Sequence, residues 1–152
     1  MRAKDIMQDK LISIHPEDKI RTAVRKMIEN DISGIPVVDS NLKLLGIVTE
    51  TDILNYGKLK AMPDYLELLE VILYRQTPET FKEELLATLD EEVEKVMNSD
   101  AITVDPQTPV GEVSMIMTDR DINRVMVVEN EKVIGVISRK DILVKIINLI
   151  ED

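Results

Sequence analysis

The chain has 152 residues, 44% of them apolar and 32% charged. That is the composition of a folded globular protein, and at this length about two-thirds of the surface an unfolded chain exposes is buried on folding. Cysteine is absent and the net charge is −10, which excludes disulfides, thiolate catalysis and cysteine-bound metal and leaves no basic face for nucleic acid.

In chain order, Met1-Arg2-Ala3-Lys4-Asp5 leads into no apolar stretch of the kind a signal peptide needs. Leu11–Ile14 is a short apolar run closed by Pro16 and reads as a strand. Ile20, Ala23, Val24, Met27 and Ile28 follow the i, i+3, i+4 spacing of an amphipathic helix. Ile35–Val38 and Leu44–Thr49 read as strands joined by the polar turn Asp39-Ser40-Asn41, and a second helix begins near Thr49. Residues 57–95 form an insert of different character. Tyr65, Leu66, Leu68, Leu69, Ile72 and Leu73 make a helical apolar stripe, and Thr77-Pro78 opens a further helix carrying Phe81, Leu85, Leu86 and Leu89. The insert is either a helical hairpin capping the core or a surface for a partner.

From Val96-Met97 the first pattern returns. Ala101-Ile102-Thr103-Val104-Asp105-Pro106 matches Leu11-Ile12-Ser13-Ile14-His15-Pro16, and Asp121-Ile122 through Val127-Val128 matches Asp31-Ile32 through Val37-Val38. Gly135-Val136-Ile137-Ser138-Arg139-Lys140-Asp141 matches Gly46-Ile47-Val48-Thr49-Glu50-Thr51-Asp52. Thr108-Pro109 reads as an N-cap followed by proline at the first helical position. Ile142–Ile150 is apolar around most of its circumference; it is too short to span a bilayer and predicts subunit pairing. The expected fold is therefore α/β, more strictly α+β: two β-α-β-β-α repeats, residues 1–56 and 96–152, packed against one another with pseudo-two-fold symmetry, plus a helical insert, 57–95, between them in the sequence. The expected location is the cytoplasm.

Thr49-x-x-Asp52 and Ser138-x-x-Asp141 each join a glycine-led strand to a helix. One reading is a capping box, in which hydroxyl and acid satisfy orphan backbone N–H groups. The other is a ligand site. Both copies use Asp where a capping box favours Glu or Gln, Gly46 and Gly135 permit close approach of a ligand or backbone, and a helix N-terminus attracts anions. A carboxylate beside it accepts hydrogen bonds from both hydroxyls of a ribose, so hydroxyl plus acid suits a nucleoside phosphate. His15 is the single histidine and reads as a surface turn residue, so no metal site is expected. No Gly-x4-Gly-Lys loop and no Ser-His-Asp set is present, so no catalytic residues are assigned.

The duplicated motifs resemble tandem CBS domains, the regulatory repeats named for cystathionine β-synthase. The resemblance rests on Asp5-Ile6-Met7, Ile12-Ser13-Ile14-His15-Pro16, Gly34-Ile35-Pro36-Val37-Val38 and Gly46-Ile47-Val48-Thr49-x-x-Asp52, with their counterparts in the second half. It implies an effector bound in the cleft between the repeats, AMP, ADP, ATP or S-adenosylmethionine, with no required cofactor. By position it implies that Asp52 and Asp141 hold ribose hydroxyls and that Thr49 and Ser138 contact phosphate or ribose. It places Ser13, Ile14, Thr103 and Val104 beside the adenine, and Ile35, Pro36, Val125 and Met126 along the remaining wall. Arg124 stands where nucleotide-binding members place a phosphate-binding arginine, whereas the first repeat has Gly34 there, and Met126 replaces Pro36, so the two sites are not equivalent. Arg139 and Lys140 either add charge at the site or are solvated helix surface. The resemblance further implies a homodimer through the CBS helices and a regulated protein partner, with no nucleic acid and no membrane. A ligand-free assembly scaffold and, more remotely, a nucleotide hydrolase or transferase are the alternatives.

Overall fold

A computed structural model describes residues 1–60, 83 and 86–152. The apolar stripe from Tyr65 to Leu73 and the helix start at Thr77-Pro78 lie outside the described residues. The packing does not divide along the sequence. One compact unit comprises Met1–Ser13, Val38–Gly46 and Ser99–Asp152, and the other comprises Ile14–Val37 and Ile47–Asn98.

In the second of these, helix α1 (Ile20–Asn30) buries Ile20, Ala23 and Met27 of the predicted apolar stripe, while Val24 is half-buried and Ile28 is exposed. It ends at Asp31, a left-handed residue at φ 50°, with the Ile32 N–H returning to the Met27 carbonyl at 3.0 Å. Strand β1 (Gly34–Val38) is buried throughout. It pairs with β2 (Leu44–Thr49), which leads directly into α2 (Glu50–Lys60). The strand expected over Leu11–Ile14 shrinks to a parallel bridge between Ile14 and Val37.

The other unit repeats this plan with a fuller sheet. Strand β3 (Thr103–Val104) lies parallel to β4 (Arg124–Glu129), which is antiparallel to β5 (Lys132–Ser138). The β4–β5 turn places Asn130 and Glu131 at φ 52° and 66°, two positive values as a tight hairpin requires. Helices α3 (Val110–Asp119) and α4 (Arg139–Glu151) pack beside the sheet. Pro109 is itself the N-cap of α3 and makes no side-chain cap. This corrects the expected Thr108 cap by one residue. The core comprises Ala3, Ile6, Val104, Val113, Met117, Val125, Val127, Ile137 and Ile142.

Each unit is completed by a segment from the other end of the sequence pattern. Ala3 N–H donates to the Thr108 carbonyl at 2.8 Å, and Lys4 N–H to that of Pro106 at 3.0 Å. In the other unit Val93 N–H donates to Asp18 at 2.8 Å, and Glu94 N–H to Pro16 at 3.0 Å. The short 3-10 turns Ala3–Asp5 and Val93–Lys95 are thus counterparts, and the repeated geometry begins inside the stretch assigned to the insert. Ala3 and Val93 are both fully buried.

Candidate functional site

The two strand-to-helix turns form on the same local logic. The last residue of β2 or β5 keeps an extended backbone and the next residue starts a helix, so the first N–H groups of that helix need acceptors. In the first turn, Asp52 N–H donates to Thr49 Oγ1 at 3.2 Å and Thr49 N–H donates to Asp52 Oδ2 at 3.0 Å. In the second, Asp141 N–H donates to Ser138 Oγ at 3.2 Å and Ser138 N–H to Asp141 Oδ2 at 2.8 Å. Both are closed capping boxes. Aspartate therefore reaches the backbone as well as a longer acid does, and its use in place of Glu is not in itself a sign of a ligand.

Beyond that shared frame the turns differ. Ser138 Oγ also donates to Asp141 Oδ2 at 2.7 Å, and Gln8 Nε2 donates to Asp141 Oδ1 at 2.7 Å. Asp141 thus accepts three hydrogen bonds from its own chain. Asp52 accepts one; among the described residues its Oδ1 has no donor, and the Thr49 hydroxyl donates to none of them. An ionised carboxylate offers about four acceptor positions, so the Asp52 turn keeps enough for two incoming hydroxyls and the Asp141 turn does not.

Around the Asp52 turn, Glu50 N–H donates to the Ser33 carbonyl at 3.0 Å, which fixes the end of β2 beside the start of β1. Ile14 N–H donates to the Pro36 carbonyl at 3.1 Å. Ile14 and Ile35 are 1% and 0% exposed and Pro36 is buried, so their side chains build the core under the site. Around the Asp141 turn, Arg124 is in register with Ser138 across β4 and β5, and Thr103 with Met126 across β3 and β4. Arg124 and Ser13 are half-buried and Thr103 is exposed, whereas Val104, Val125 and Met126 are buried. By compact unit, Ile14, Ile35, Pro36, Thr49 and Asp52 fall in one, and Ser13, Thr103, Val104, Arg124, Val125, Met126, Ser138, Arg139 and Asp141 in the other.

Arg139 turns elsewhere. Its Nε donates to the Ile122 carbonyl at 3.0 Å, and its Nη2 to the Met117 carbonyl at 3.2 Å while lying 3.4 Å from Asp121 Oδ1. The guanidinium sits at the carboxyl end of α3, where the helix dipole favours a cation, and gives a second donor to the Met117 carbonyl, which already accepts the Ile122 N–H at 3.0 Å. It lines a groove of about 380 Å³ between α3 and α4. Its counterpart, about 440 Å³ between α1 and α2, has Glu50 in the place of Arg139. Neither groove is lined by Asp52 or Asp141. Among the described residues no cluster of three His, Asp or Glu could hold a metal ion, and no helix is long and apolar enough to cross a membrane.

Sequence reasoning missed Gln8. Its signal was the repeated triplet Ile6-Met7-Gln8 and Val96-Met97-Asn98, which marks the repeat but not the contact. Gln8 and Val136 exchange both backbone hydrogen bonds, at 2.9 and 3.1 Å, as Asn98 and Ile47 do at 2.8 and 2.9 Å. Gly135 admits this docking: a Cβ there would lie 2.7 Å from Met7 Sδ and 3.0 Å from the Gln8 carbonyl oxygen. The close approach that glycine permits at this position is thus that of the chain's own N-terminal segment.

Compared with known proteins, residues 3–58 and 93–148 match the profile of the CBS domain. An uncharacterised protein of Methanocaldococcus jannaschii is 31% identical over 151 residues, covering 94% of this chain and 89% of its own length. Other relatives are longer, and the chain spans 31% of one of them. Among solved structures, the CBS domain pair of protein MJ0100, in complex with 5-methylthioadenosine and S-adenosyl-L-methionine, superposes with a TM-score of 0.70 at 23% identity, covering 98% of each chain. CBSX2 from Arabidopsis thaliana, in complex with AMP, gives 0.74 at 20% identity, covering 97% of each. At these identities the two structures establish the fold.

Proposed function

The chain belongs to the CBS domain family, and on that premise we propose that it is a non-catalytic regulatory module whose effector is an adenine nucleotide or another adenosyl compound. The observation that carries this reading is the Thr49–Asp52 turn at a helix N-terminus, where among the described residues one carboxylate oxygen accepts from no donor and the hydroxyl donates to no acceptor. Asp52 accepts the ribose hydroxyls, Thr49 donates to ribose or phosphate, and the backbone around Ile14 and Pro36 borders the base. That two structural relatives hold AMP, or 5-methylthioadenosine with S-adenosylmethionine, supports the choice of adenosyl ligands.

The output of such a module passes to a protein partner or to the oligomer. Exposed apolar side chains support pairing of two copies through the helices. Leu54 on α2 is 64% exposed, and Leu143 and Ile150 on α4 are 62% and 74% exposed, a concentration that marks contact surfaces. A ligand acts only through its differential affinity for alternative arrangements of such an assembly.

A thermal-shift panel of AMP, ADP, ATP, S-adenosylmethionine and NAD, with GMP as control, tests the reading. A ligand at a hundred times its dissociation constant adds about 2.7 kcal/mol, a rise of several degrees at this size. A flat response to every adenosyl compound overturns it. The flat outcome favours the second reading, a ligand-free assembly scaffold, which the closed capping boxes at both turns support.

A further inference from the structure

We infer that Gln8 is an occupancy gate: its side-chain amide holds the Asp141 carboxylate and makes the two strand-to-helix turns unequal, so that the Asp52 turn takes ligand first. This rests on the proposed reading of those turns as adenosyl sites and adds to it which one is open and what closes the other.

A ribose diol presents two O–H donors and needs two acceptor positions in one carboxylate plane. Asp141 Oδ2 is filled by the Ser138 N–H at 2.8 Å and the Ser138 hydroxyl at 2.7 Å, and Oδ1 already takes Gln8 Nε2 at 2.7 Å. A diol there must displace a donor, and the one that does not belong to the turn itself is Gln8, whose hydrogen bond to a charged acceptor is stronger than a neutral one. Gln8 does not drift away unaided, because two backbone hydrogen bonds to Val136 and the packing of Met7 over Gly135 hold it in place. At Asp52 no described side chain plays this part. Because Gln8 belongs to the N-terminal segment, ligand at Asp141 competes with the docking of that segment. By the reciprocity of linkage, loosening the segment opens the site.

The test is calorimetric titration of the full chain with AMP, comparing wild type, Gln8→Ala and Gln8→Met. The second variant keeps the bulk of the side chain and loses its amide. Wild type is expected to take up one AMP tightly. Both variants gain a second AMP bound about tenfold more tightly than any second event in wild type, equivalent to about 1.4 kcal/mol, and Asp141→Asn in the Gln8→Ala background removes that gain. Variants that titrate as wild type does, or more weakly, overturn the inference, as does a wild type that binds two AMP equally. The adenosyl reading fails by a different result, wild type and Asp52→Asn titrating alike.

Discussion

Met7 lies across Gly135 so closely that a single methyl group on that glycine would sit 2.7 Å from the Met7 sulfur. The contact pins the N-terminal segment to β5; the Met7 side chain can turn aside, but the Gln8 carbonyl, 3.0 Å from the same point, belongs to the main chain and can yield only by a shift of the docked segment. Gly135→Ala is therefore expected to destabilise the fold by about 1–3 kcal/mol, the usual cost of overpacking a fitted site, measured by urea denaturation. Gly111 has nothing within 4 Å of its would-be Cβ and lies in α3, so Gly111→Ala should stabilise by up to about 1 kcal/mol. Equal effects of the two substitutions would contradict the docking.

The Arg139 clamp makes a paired prediction. Arg139→Ala strips donors from the Met117 and Ile122 carbonyls and should cost about 1 kcal/mol, the worth of an ordinary exposed hydrogen-bonded contact. In the first repeat the same position is Glu50, beside Asp31 in its groove. Glu50→Arg should create the missing clamp and raise stability by roughly 0.5 kcal/mol. Both are read from denaturation midpoints. A neutral Arg139→Ala would show that the guanidinium does not cap the helix.

Pairing of copies is tested at α4. Ile147, 52% exposed, lies on the apolar surface, and Ile147→Glu places a charge that would have to be buried without a partner on association, at a cost of several kcal/mol. Sedimentation should show a dimer for wild type and a monomer for the variant. Two monomers, or two dimers of equal stability, would contradict a helix-mediated interface.

Much of this architecture was legible because side chains encode it. The duplicated order of strands and helices, the buried stripe Ile20, Ala23 and Met27, and the two hydroxyl–acid turns all follow from periodicity and spacing. The exchange of leading segments was not, because the bonds that fix it run between main-chain atoms, Ala3 to Thr108 and Val93 to Asp18, which no residue pattern announces. The same holds for the strand at Leu11–Ile14, where apolar residues predicted a ladder and only Ile14 pairs. At the site, residue identity revealed that Asp52 and Asp141 cap their helices or hold ligand. It did not reveal that Ser138 and Gln8 also donate to Asp141 while nothing described does so to Asp52 Oδ1. That difference depends on which residue, far away in sequence, is brought beside the turn.

The most direct measurement is the affinity of AMP for wild type and for Asp52→Asn, taken with the melting temperature of each. Asparagine retains an oxygen for the Thr49 N–H, so the cap and the fold should survive with a loss of about 1 kcal/mol or less. AMP affinity should fall by at least about tenfold as the charged acceptor for the ribose hydroxyls disappears. Unchanged affinity in a well-folded Asp52→Asn protein would contradict the account.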